Sequence, residues 1–294
     1  MDIHNYTQKI KGAIKSYQDY DDIDHGSDIF LSMLDEYFPQ DSMVFLGGRP
    51  RTGKTSLILD LIAKNSLKQE STEEDKRNEA SPKRGLVYLI GHKEKFVLKR
   101  WLSIATQATV DNHENYSILN YKIDEYSKAI EGATFDLNFI LSTEDLFPTI
   151  ESEMKSYNPD YVVIDGLNIS PEIEKNPYQL AVLLDNLINL QKKSNKFLII
   201  STNLGHEAYN RGGGHRHILE DFNSTQIESE ADIALLLHRP ELYGIECDEE
   251  GYSMKGVVEI ETAINRYGNE SETTLWHGIH EIPKLGKLKA LVSQ

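Results

Sequence analysis

Eight residues that follow an apolar run have the types and spacing to grip a phosphate. Gly48-Arg49-Pro50-Arg51-Thr52-Gly53-Lys54-Thr55 fits G-x-x-x-x-G-K-[ST], and Ser56 follows it. Glycine lets a backbone approach an oxygen-rich ligand closely. Backbone N–H groups and a helix N-terminus then surround the phosphate. In this pattern Lys54 reaches the β- and γ-phosphates and the Thr55 hydroxyl holds Mg²⁺. A chance glycine-rich turn before a helix is the plainer alternative. The context argues against it, because an apolar stretch, Val44 to Gly47, precedes the loop and a helical pattern, Leu57 to Ile62, follows it. A carboxylate on a second buried strand would complete the site. Tyr161-Val162-Val163-Ile164-Asp165 is such a strand, and Asp165 at its tip can bind the Mg²⁺ water shell. Alone that strand end is a weak signal, since an aspartate also caps turns. Paired with the glycine loop it points to a nucleotide triphosphate held with Mg²⁺.

A strand must deliver the loop and a helix must leave it. Met43 to Gly47 reads as the first core strand, and Thr55 to Asn65 as the helix. Further strands are expected at Leu86 to Ile90, Leu137 to Leu141, Tyr161 to Asp165, Phe197 to Ser201 and Ile233 to His238. Helices are expected at Phe96 to Thr106, over much of 107–134, at Leu146 to Tyr157 and at Pro177 to Lys193. Val257 to Asn265 and Thr273 to His277 read as a late antiparallel pair. Strands alternating with helices imply an α/β fold, a mostly parallel sheet covered on both faces. Ligands then belong at the C-terminal strand ends, where the loop and Asp165 both fall. Ahead of this core, Ile3, Tyr6, Ile10, Ala13, Ile14 and Tyr17 stand at helical spacing. Residues 1–24 therefore read as an amphipathic helix and linker, and 25–294 as one domain, opened by a second apolar stripe from Ile29 to Phe38. The charged segment 66–85 reads as a surface loop.

Composition bounds the function. A chain of 294 residues with 39% hydrophobic side chains can bury one sizeable core. The net charge of −16, from 47 acidic and 31 basic residues, argues against a broadly basic nucleic-acid surface but leaves room for a local basic channel. No apolar run is long enough to span a membrane, and Met1 to Asp24 is too polar for a secretory signal. The single cysteine, Cys247, excludes an internal disulfide and suits the cytoplasm.

From about residue 25 to residue 280 the chain resembles the C-terminal ATPase domain of DnaB-type replicative helicases, within the RecA-like P-loop superfamily. The resemblance runs through His25 to Phe30, Phe45 to Pro50 with its Arg-Pro inside the loop, and the acidic turn Ser142 to Leu146. It continues in Tyr161 to Leu167, in the polar strand end Ser201-Thr202-Asn203-Leu204, and in Ile227 to Asp232 followed by Leu235 to Arg239. It ends at the turn Ile264-Asn265-Arg266-Tyr267-Gly268. The order and spacing of these segments make it specific. It implies a RecA-like core with a C-terminal antiparallel hairpin, ATP and Mg²⁺, a homo-oligomeric ring such as a hexamer, and single-stranded DNA as a partner. It makes Asn203 the sensor, where the family usually has Gln. It makes Arg266 a finger on the neighbouring subunit's γ-phosphate, although on local sequence Arg266 also reads as a solvated hairpin arginine.

Three departures stand out. The family carries a water-polarising Glu just after the second strand, whereas here Leu89-Ile90-Gly91-His92-Lys93-Glu94 puts Gly91 or His92 there and Glu94 two or three residues late. Loss of such a carboxylate costs about 10²–10⁴-fold in rate. Glu94 or His92 is expected to substitute in part. Ile264 stands where the family has a second basic residue, and the family's N-terminal helical domain is expected to be missing.

Arg211 and Arg216 flank three glycines in Asn210 to His217, a flexible basic loop that in ring motors of this kind holds nucleic-acid phosphates. A disordered surface loop or a zinc site from His206, His215 and His217 is the alternative there. Ser170 to Lys175, the other channel candidate, is acidic. The first helix is expected to dock on a neighbouring subunit or to pack on its own domain. The main reading is thus a helicase-like ATPase that binds or moves on single-stranded DNA. The other is a RecA-fold ATP-binding switch or assembly protein with weak hydrolysis, and a small-molecule kinase fits less well.

Overall fold

The computed structural model describes residues 41–66, 84–94, 96–97, 100–101, 135–140, 146–168, 176–205, 207–211, 214–249, 251, 253–267, 273–278 and 285–287. The expectations for 1–40, 67–83, 102–134 and 169–175 lie outside these residues.

Nine strands form one sheet: β1 (Met43–Gly48), β2 (Gly85–Ile90), β3 (Phe135–Ile140), β4 (Tyr161–Asp165), β5 (Phe197–Asn203), β6 (Ile233–His238), β7 (Val257–Asn265), β8 (Thr273–Gly278) and β9 (Leu285–Lys287), ordered β3-β2-β4-β5-β1-β6-β7-β8-β9. From β3 to β6 every pairing is parallel, and from β6 to β9 every pairing is antiparallel. Among the described residues the helices with full bounds are α1 (Lys54–Ser66), α2 (Leu146–Tyr157), α3 (Pro177–Ser194) and the short α4 (Thr225–Glu230), and residues 94, 96–97 and 100–101 are helical as well. The expected strands and helices in these stretches are present. β9 was not expected, and its three residues are too few to show a period.

The parallel strands read as continuous apolar runs because both of their faces are buried. Along β1, Val44 and Leu46 join the cluster containing Leu57, Ile58 and Leu61 of α1. Met43 and Phe45 join the opposite cluster with Ile150 of α2 and Leu184 and Leu187 of α3. Burying one such side chain contributes about 1.5–3 kcal/mol. Inside this core the Tyr88 hydroxyl donates to Glu153 of α2 at 2.6 Å. α3 starts with Pro177 in its first turn and stops at Asn195, whose left-handed φ of 51° turns its N–H back onto the Gln191 carbonyl. The start of β1 is pinned from a distance, because the Met43 N–H donates to Asp232 Oδ2 at 2.8 Å while the Asp232 N–H donates to the Met43 carbonyl. The C-terminal ends of β1, β4 and β5 thereby lie side by side.

Candidate nucleotide-binding site

The loop between β1 and α1 bends through two residues of positive φ, Arg51 at 74° and Gly53 at 108°. For Arg51 that conformation costs of order 1 kcal/mol, strain of a kind that clusters at ligand-gripping loops. For Gly53 it costs almost nothing, which is why glycine stands there. The Leu57 N–H then bonds the Gly53 carbonyl at 2.9 Å and opens the ladder of α1. Lys54, in the first turn, is buried. Its Nζ donates to the carbonyls of Gly48 at 2.6 Å and Arg49 at 2.9 Å. Burial pulls its pKa down to about 8, against a smaller upward pull from Asp165. A buried ammonium held by carbonyls alone is a group that an anion would stabilise.

Asp165 is buried at the tip of β4. Thr55 Oγ1 donates to its Oδ2 at 2.6 Å across 110 residues of sequence, and Ser201 Oγ donates to its Oδ1. His92 Nε2 lies 3.1 Å from Oδ2, an ion-pair distance without hydrogen-bond alignment. Burial alone would raise this carboxyl's pKa, but His92, Ser201 and Thr55 together outweigh it and hold the pKa below the usual carboxylate range. A hydroxyl and a carboxylate so close form the hard-oxygen pair that Mg²⁺ takes. The residues present thus fit a triphosphate with its metal.

The other expected site residues fall in different places. Asn203 is the register partner of Gly48, where β5 meets the phosphate loop. Glu94 is exposed and makes no bond to a described residue, whereas His92 touches Asp165. The Arg49 guanidinium sits over the Tyr243 ring, 5.2 Å from its centroid, and that ring also stacks on His215 and His238. Arg266 lies just past β7. Its Nε donates to the Ala231 carbonyl at 2.7 Å and its Nη2 to the Ser229 carbonyl, so it caps the C-terminal end of α4.

Arg211 and Arg216 are the residues expected to hold nucleic-acid phosphates. Both are engaged inside the chain. Arg211 makes a bidentate pair with Asp221 at 2.8 and 2.9 Å, and Arg216 one with Glu259 at 2.8 and 2.9 Å. Asp221 also accepts from the Ile218 N–H and contacts His217 Nδ1 at 2.9 Å. In this arrangement each guanidinium ties its loop to a carboxylate of the same chain, which occupies two of its donors. No group of three metal-ligating side chains occurs among the described residues, and His206 is outside them.

Two contributors have roles that the sequence reading did not assign. Ser201 bridges Asp165 and the Gly166 N–H. Its one signal was a hydroxyl placed where an apolar strand reaches the ligand end. Asn168, three residues past Asp165, bonds the backbone of Asn203 twice.

The profile of the DnaB-like helicase C terminal domain family matches residues 30–280. A probable plasmid replicative DNA helicase of Chlamydia psittaci is 25% identical over 257 residues, which cover 83% of this chain and 52% of that protein. The chain therefore spans about half the length of this curated relative. Among solved structures, one of an ATPase domain superposes with a TM-score of 0.70 at 18% identity, covering 98% of this chain and 99% of that one. A DnaB-like replicative helicase, studied with its primase interactions, gives 0.66 at 18% identity over 92% of this chain and 67% of its own. The fold is the RecA-like one of these domains, and the chain belongs to the DnaB-like helicase C-terminal domain family.

Proposed function

On the strength of that membership, we propose that this chain binds ATP with Mg²⁺, hydrolyses it, and does so within a ring-shaped homo-oligomer that engages single-stranded DNA. The observation that carries the reading is the convergence of Lys54, Thr55 and Asp165 on the mouth of the phosphate loop, the first two from the start of α1 and the third from the tip of β4. Gly48 to Ser56 would wrap the phosphates. Lys54 would neutralise them, moving from carbonyl oxygens to phosphate oxygens. Thr55 and Asp165 would hold Mg²⁺, which when bound supplies charge neutralisation for phosphoryl transfer. Asn203 would sense the terminal phosphate, and Arg266 would serve a neighbouring subunit's site. Of the two substitutes for the family's glutamate, contact with Asp165 favours His92 over the exposed Glu94.

ATP turnover by the purified protein, with and without single-stranded DNA and alongside its mass in solution, tests this reading. DNA-stimulated turnover in a multi-subunit species is expected. Nucleotide-dependent assembly without any DNA effect would favour a switch instead. A folded protein without affinity for nucleotides in the presence of magnesium would overturn both.

A further inference from the structure

The ladder between β4 and β5 ends at the pair Ile164–Ile200, yet the two segments stay joined beyond it. The Gly166 N–H donates to Ser201 Oγ and the Leu167 N–H to the Ser201 carbonyl, each at 3.0 Å. A side chain then takes over from the backbone. Asn168 Oδ1 accepts from the Asn203 N–H at 2.8 Å, and Asn168 Nδ2 donates to the Asn203 carbonyl at 2.6 Å. A carboxamide carries a donor and an acceptor side by side, as an extended peptide does. Asn168 therefore serves as ladder partner to a residue whose neighbouring strand has run out. An aspartate there would keep the acceptor and set a negative charge against the carbonyl.

The residue so held faces the phosphate loop. Asn203 is paired in register with Gly48, and the next N–H, of Leu204, donates at 3.1 Å to the Gly48 carbonyl that also receives Lys54. The Asn203 carboxamide itself is half-buried and bonds no described residue. Its backbone is thus fixed while its polar side chain remains available to a ligand.

We propose that Asn168 is a positioning residue: its carboxamide fixes the backbone of Asn203 so that the Asn203 side chain meets the terminal phosphate of a nucleotide in the adjacent loop. The proposal rests on the ATPase reading above. Misplacing a group that acts in the transition state costs up to about 10²-fold in rate, so Asn168→Ala is expected to lower kcat by roughly 10–10²-fold with little change in KM. Asn168→Asp is expected to fall between Asn168→Ala and the unaltered chain. If Asn168 acts through Asn203, the double variant Asn168→Ala/Asn203→Ala is no slower than Asn203→Ala alone. Hydrogen exchange supplies a readout independent of turnover: the Asn203 amide is expected to exchange faster in Asn168→Ala, with Leu198 to Ile200 unchanged. Additive rate losses, a fall in nucleotide affinity that matches the fall in kcat, loosening of the whole β4–β5 pair, or unaltered exchange at Asn203 would each overturn the proposal. An unaltered chain inert toward ATP and magnesium would instead overturn the ATPase reading, and exchange would still decide whether the clamp exists.

Discussion

Two buried aspartates keep their charge by different means. Asp221, in the short 3-10 turn Leu219–Phe222, faces a fixed guanidinium. Chiefly through the bonds from Arg211, its pKa is driven far below the usual range. Asp165 faces two hydroxyls and an imidazole, and its burial works against its charge. Arg211 is permanently charged and bound through both terminal nitrogens, so Asp221 is saturated and anchors its loop. The donors on Asp165 carry no fixed charge and yield to a harder cation at small cost. A carboxylate held by replaceable partners marks a working site. One held by an arginine fork marks a joint.

The largest expected effect lies on the working side. Asp165→Asn is nearly isosteric, so its melting temperature should stay near that of the unaltered chain, while nucleotide turnover falls about 10²–10³-fold, the scale of losing one preorganised charge contact. A large fall in the melting temperature of Asp165→Asn, with turnover kept at temperatures where it is folded, would reverse the two roles. On the joint side, Asp221→Ala should cost about 2–3 kcal/mol in denaturant unfolding, less than the loss of a fully buried pair because Arg211 keeps 32% of its side chain in water. The folded pKa of Asp221 lies below its unfolded value, so its contribution is present above pH 4, roughly, and lost as pH falls. Acidification should therefore destabilise the unaltered chain more than Asp221→Ala.

A smaller effect comes from Lys54. With its pKa near about 8, nucleotide affinity should be flat below that pH and fall by up to about tenfold per unit above it, because an anion binds the protonated form. Equilibrium binding from pH 6.5 to 9.5 would check this, and Lys54→Arg should remove the fall. The smallest effect concerns Arg211 and Arg216. If each stays with its carboxylate, Arg216→Ala leaves the salt dependence of single-stranded DNA binding unchanged. A slope reduced by about one would show that the pair opens onto phosphate.

Much of this was legible in the chain. The strands are buried on both faces, so they stand out as apolar runs, and the glycine loop announces itself because a tight phosphate grip tolerates few residue types. Asp165 was legible because it ends such a run. The partners of Arg211 and Arg216 were not. Asp221 and Glu259 stand 10 and 43 residues further on, with nothing local to mark them as pairs. Asn168 was missed for a related reason. It bonds backbone rather than side chain, and backbone leaves no signature in sequence.

Arg266 carries one last consequence. An unattached arginine loses about 2 kcal/mol of rotamer freedom when a contact freezes it. Here Ser229 and Ala231 already restrain that guanidinium by one edge at the protein surface. A partner meeting its other edge recruits a group whose disorder has largely been surrendered during folding, and more of the contact energy is left to hold the two surfaces together.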